Sequence, residues 1–137
     1  MAAIGAYLAA RLLNASLKQT ASIVSPTTLG FGLSLGSPTS VSMSEVGTSS
    51  GYTPQSVTFS SVGAAGTIAS NANAMTFGPF SGAKTIFGGV IKDTLSASAS
   101  NGNNGNIYFF GQLSSSVVLV AGDTITFAAG ALTISIT

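Results

Sequence analysis

Alternation of apolar with small or polar residues near the C-terminal end is the feature that most constrains this chain. In Val117–Thr137 (VVLVAGDTITFAAGALTISIT), Val118 and Val120 share a face, then Ile125 and Phe127, then Leu132, Ile134 and Ile136. Successive side chains of a strand point to opposite faces, so a period of two predicts strands. Gly122-Asp123 and Ala129-Gly130 supply the turn residues between them. The segment is predicted to form three short antiparallel strands that close a β-sandwich. No residue in it is placed for chemistry.

The same pattern recurs upstream. In TLGFGLSL (Thr28–Leu35), Leu29, Phe31, Leu33 and Leu35 point one way and Thr28, Gly30, Gly32 and Ser34 the other. The alternate glycines leave a bare face that lets a backbone or a subunit approach closely, or else mark a bulge. Further strands are predicted at SVTFSS (Ser56–Ser61), AMTF (Ala74–Phe77), TIFGGVI (Thr85–Ile91) and NIYFFGQL (Asn106–Leu113). The last is apolar on both faces, which makes it a candidate central strand or oligomer contact. Gly63–Gly66, Gly78-Pro79 and the low-complexity tract Ser96–Asn106 punctuate these runs, and Gly36–Gly51 is a long polar loop carrying Glu45.

Residues 2–17 hold the one helical pattern, with Ile4, Leu8 and Leu12 at i, i+4 and i+8 and Leu13 and Leu17 extending the face. It packs on the sandwich or inserts into a partner subunit. Ser25-Pro26 breaks the chain after it, because a residue before proline is pushed out of the helical region. The expected architecture is all-β: a jelly-roll-like β-sandwich of about eight short antiparallel strands with one N-terminal α-helix. It forms a single domain over residues 1–137, the helix at about 2–17 and the sandwich at about 28–137.

Composition narrows function by exclusion. Charged residues make up 5% of the 137, against roughly 25% in an ordinary soluble protein. With a net charge of +1 there is no basic stripe to neutralise phosphates, so no nucleic-acid partner is expected. Mean hydropathy is +0.55, yet no run approaches the roughly 18 uncharged apolar residues of a spanning helix, and Met1–Leu13 is cut by Arg11. That stretch also lacks the basic start and small-residue cleavage site of a secretory signal. No membrane association is expected.

Cysteine, histidine and tryptophan are absent, which removes disulfides, thiol chemistry, zinc sites and any histidine base. Three carboxylates remain, Glu45, Asp93 and Asp123, at spacings that do not pair them for acid–base work. Asp123, in a turn, is expected to bond its own backbone. No phosphate-binding glycine motif is present, and NGNNGN offers amides without a carboxylate for calcium. No enzyme activity, metal or cofactor is expected. A surface coated with Ser, Thr, Asn and Gly lacks electrostatic repulsion and suits close packing against copies of itself.

The order of short motifs is informative. Ser37-Pro38 follows a strand; then come Glu45-Val46, Gly51-Tyr52 and Val57-Thr58-Phe59. NANAMTF (Asn71–Phe77), Ile86-Phe87-Gly88 with Asp93, and Gly111-Gln112-Leu113 follow. Last are Gly122-Asp123, Phe127, Gly130 and Leu132. This order resembles the small phage structural proteins commonly labelled "tail fibre protein", across nearly the whole chain. The chain departs from that pattern at Pro54-Gln55, where the family has an arginine region, at Lys84 in place of an aromatic, and at TFGPF in place of TFP.

The resemblance implies a virion component with no catalytic residues to transfer. Small β-sandwich proteins of phages are frequently capsid cement proteins, and the low charge and single apolar helix fit that role. The expectation is a homo-oligomer, preferably a trimer, on the capsid surface, with the major capsid protein as partner. Candidate interface residues are Ile4, Tyr7, Leu8 and Arg11 on the helix face and Glu45 in the 36–51 loop. The alternative is a tail or fibre-associated module that binds a receptor or glycan, for which Tyr52 and Tyr108 are the candidate aromatics.

Overall fold

In the computed structural model of the chain, residues 3–17, 26–62, 66–97 and 104–135 are described. A short strand β1 (Ala3–Ile4) leads into helix α1 (Ala6–Leu17). Eight more strands follow: β2 (Gly30–Ser34), β3 (Gln55–Ser56), β4 (Ile68–Ser70), β5 (Met75–Phe77), β6 (Lys84–Lys92), β7 (Ile107–Leu119), β8 (Ile125–Phe127) and β9 (Thr133–Ser135). The main sheet runs β1-β7-β6-β2-β3, and β4-β9 and β5-β8 form two-stranded ribbons. Every pairing is antiparallel. The expected all-β class with one N-terminal helix therefore holds.

The arrangement is sandwich-like because apolar side chains of the ribbons are buried with one face of the main sheet. Phe31 of β2 meets Phe77 of β5 and Phe127 of β8 edge-on, with ring centroids 5.9 and 5.0 Å apart. Each such pair adds about 0.5–1.5 kcal/mol beyond its burial. Leu33, Ile86 and Ile91 from the sheet and Ile134 from β9 fill the same core.

Strand β7 joins two runs that the sequence separates. Ile86 pairs with Val117 but Gly88 pairs with Gln112, so Phe87 alone faces the four residues 113–116. Ser114, Ser115 and Ser116 are exposed at this bulge. A second bulge lies where Ile91 pairs with Phe109 and Lys92 with Ile107, which leaves Tyr108 without a partner in the ladder. Bulges re-aim side chains. Tyr108 is buried against Tyr7 of α1, their rings 5.5 Å apart.

Three sequence expectations change. The C-terminal strands do not pair in succession: β7 pairs with β6, β8 with β5 and β9 with β4. Backbone bonds impose this. Phe80 N–H donates to Asp123 C=O and Gly122 N–H donates to Phe80 C=O, which carries the chain across to β5. The helix begins later than expected, because Ile4 pairs with Phe109 in β1; of its apolar residues Leu8 is buried, whereas Leu13 and Leu17 are exposed. The run Ser56–Ser61 is a strand only at its start, and beyond it Ser60 N–H donates to Ser70 C=O and Ala72 N–H to Thr58 C=O. Ser25, the turn at 63–65 and Ile136 lie outside the described residues.

Two asparagines tie the ribbons together. Buried Asn71 donates from Nδ2 to the carbonyls of Asn73 (2.7 Å) and Ala128 (2.9 Å), and its Oδ1 accepts the Leu132 N–H at 2.8 Å. Asn73 accepts from the Thr58 N–H and hydroxyl and donates to Ser56 C=O. An Asn71→Ala chain loses three bonds at once and strands Leu132 N–H. Its urea unfolding midpoint is expected to fall by an amount equivalent to about 2–4 kcal/mol; a loss below about 1 kcal/mol would mean these bonds are dispensable.

Candidate functional site

Strand β2 puts Phe31 and Leu33 on the aromatic core and turns Gly30, Gly32 and Ser34 to the other face. Residues opposite each other in antiparallel strands share a face. Lys92 pairs with Gly30 and Val90 with Gly32, so Lys92 extends over the glycine side. The loop after β2 returns along its outer edge: Leu35 N–H donates to Ser44 C=O, and Val46 N–H to Leu33 C=O. This lays Glu45 beside Ser34 and its carboxylate over Gly32.

The result is a buried ionic centre. Glu45 and Lys92 are both 0% exposed. Lys92 Nζ donates to Glu45 Oε1 at 2.7 Å, to Oε2 at 2.6 Å and to Ser96 C=O at 2.8 Å. Tyr52 donates its hydroxyl to Glu45 Oε1 at 2.9 Å and accepts the Leu33 N–H at 2.9 Å. Three ammonium protons thus meet three oxygens, the geometry of an ion pair. Burial pushes the Glu45 carboxyl up and the Lys92 ammonium down, and the bonds and charges between the two push each back. Burial, and then the adjacent carboxylate, hold the Tyr52 phenol well above its ordinary range, so it stays protonated and donates.

A glycine is required beneath this centre. A Cβ on residue 32 would stand 2.6 Å from Glu45 Oε1 and 3.2 Å from the Tyr52 hydroxyl. The bare face of β2 is where another segment approaches, and that segment belongs to the same chain.

Glu45 and Tyr52 are therefore corrected from surface candidates to core groups, because their polar atoms are consumed internally. Tyr108 is likewise buried, by its bulge and by Tyr7. Leu8 packs in the core, so the helix face that carries it is turned inward. Ile4 is partly exposed, on β1 and not on the helix. Arg11 lies over the Tyr7 ring, 5.6 Å from its centroid. Sequence reasoning missed Lys92 as the partner of Glu45, 47 residues away. The available signal was a bare glycine face beside a strand that ends in a lysine.

The other carboxylates are also engaged. Asp93 accepts from the Asn106 N–H at 2.8 Å and from its Nδ2 at 2.7 Å, which closes the loop between β6 and β7. Asp123 accepts the Val120 N–H at 2.8 Å, as expected of a turn aspartate. Among the described residues no His, Cys, Asp or Glu cluster fit for a metal occurs, and no helix is long and apolar enough to cross a membrane.

What faces outward is a mixture of hydroxyl-bearing and apolar residues. Val118, Val41, Leu13 and Leu17 are exposed, and a cleft of about 210 Å³ opens between Phe31, Phe109, Leu113, Phe127 and Leu132. This surface is the candidate functional feature.

The ionic centre makes a double-mutant prediction. Lys92→Met leaves a buried carboxylate without a counter-charge and is expected to cost about 3–5 kcal/mol. Glu45→Gln with Lys92→Met should cost less than the sum of the two single changes, since neither charge is then stranded. Chemical denaturation of the four chains checks this; additive losses would mean the pair is not coupled.

A family model described as Gp80, Podophage GP4 fiber I protein gp80, matches residues 3–135. No curated protein matches the chain significantly.

Proposed function

The chain belongs to this podophage fiber I protein family, and on that premise we propose that it is a non-catalytic, fibre-associated packing module of the virion that assembles with copies of itself. The family match over nearly the whole chain carries this reading. The side chains add support. Glu45, Asp93 and Asp123 all serve the fold, so none is left to activate a nucleophile or transfer a proton. The surface offers exposed valines and leucines among hydroxyls instead of converging polar groups.

A capsid cement role, with the major capsid protein as partner and a trimer as the preferred assembly, is the second reading. It is favoured by a different observation: among the described residues the one α-helix spans 12 residues, and no heptad or fibrous repeat is present to build a shaft. A cement protein acts by mass action, since binding only the assembled shell shifts the equilibrium toward it.

Copy number separates the two. Quantitative mass spectrometry of purified virions is expected to find far fewer copies of this chain than of the major shell protein. A ratio matching the shell lattice would replace the fibre-associated reading with the cement reading. A virion that lacks the chain altogether would remove both.

A further inference from the structure

We propose that Glu45 and Lys92 become covalently joined, the Lys92 amine condensing with the Glu45 carboxyl to an amide between Nζ and Cδ. The bond staples the loop after β2 to the end of β6. This modification goes beyond the virion reading and does not depend on it. Lys92 Nζ lies 2.7 Å from Oε1 and 2.6 Å from Oε2, so it touches both oxygens and stands beside the carbon that bears them. Both side chains are 0% exposed, so solvent does not reach the pair. Two groups held at contact range by a fold react as one molecule, without the entropy cost of an encounter.

Condensation needs both groups uncharged. A dry interior penalises carboxylate and ammonium alike, and one proton passed from Nζ to Oε2 neutralises both. Burial pushes the carboxyl up and the ammonium down, toward these neutral forms. A desolvated lysine amine is a nucleophile. Its lone pair attacks Cδ, and the charge that develops on Oε1 meets the Tyr52 hydroxyl 2.9 Å away. The Nζ–Cδ bond forms, the Cδ–Oε2 bond breaks, and Oε2 leaves as water with two of the three ammonium protons. No oxidant, reductant or other co-reactant enters. The product amide has one N–H and one C=O, and each finds its partner in place. Ser96 C=O, 2.8 Å from Nζ, accepts the remaining proton, and Tyr52 donates to Oε1. Two buried charges are thereby exchanged for one satisfied neutral group. The ion pair is the state before the bond forms. In a chain without cysteine, the link ties residues 47 apart and restricts the unfolded chain as a disulfide does.

Intact-mass spectrometry of the full chain under denaturing conditions tests this, with Lys92→Arg, which lacks the amine, as control. Wild type is expected to be lighter than its sequence by one water, and Lys92→Arg to have its full sequence mass. Proteolytic digestion and tandem spectrometry of wild type should then recover the peptides of Glu45 and Lys92 joined at those two residues. Wild type at its full sequence mass would overturn the proposal. So would a water loss that persists in Lys92→Arg or that maps to other residues. Those results leave the virion reading standing, because only the copy number of the chain in purified virions decides that.

Discussion

The ion pair between Glu45 and Lys92 is the contact on which the rest of the structure depends. Removing two charges from water costs several kcal/mol each, and attraction alone seldom returns it. The cost is met here by complete hydrogen bonding: three oxygens surround the ammonium, and the carboxylate also accepts the Tyr52 hydroxyl. The pair joins parts of the chain that share no ladder. Glu45 comes from the loop after β2, Lys92 from the end of β6, Ser96 from the turn beyond it, and Tyr52 from the approach to β3. A slip of β2 by one residue would replace Gly32 with a side chain beneath the carboxylate and strand both charges in the core. The pair therefore penalises wrong registers more than it stabilises the right one.

This arrangement explains how a chain with seven charged residues uses them. Two form the buried centre, and Asp93 and Asp123 clamp backbone turns. Arg11 rests on an aromatic ring. Little charge is left to keep copies apart, and exposed valines and leucines sit among serines and threonines. Such a surface is a liability for a protein that lives alone and an asset for one packed into a particle. The family assignment to phage fibre proteins and the physical character of the surface thus agree.

The fold class was legible in the sequence because period-two alternation at β2, β5, β6 and β8 is a local property. The partners of those strands were not. Which strand β8 joins is decided by backbone bonds between Phe80 and the Gly122-Asp123 turn and by Asn71, which links residues 57 and 61 positions apart. The strands β1 and β4 carry too little pattern to detect, and both bulges of β7 appear only in the register. Glu45 and Tyr52 were expected at an interface and are buried instead. Polarity in a loop reads as exposure, and nothing local reveals that a lysine 47 residues on will bury it.

The buried ionic centre is part of the cooperative core and not a local ornament. Native-state hydrogen exchange at the Leu33 amide tests it most directly, since that proton's acceptor is the Tyr52 hydroxyl beside Glu45. This amide is expected to exchange only through global unfolding, with the same free energy and denaturant dependence as the amides of β6. Exchange through a low-energy local opening, independent of denaturant, would contradict it.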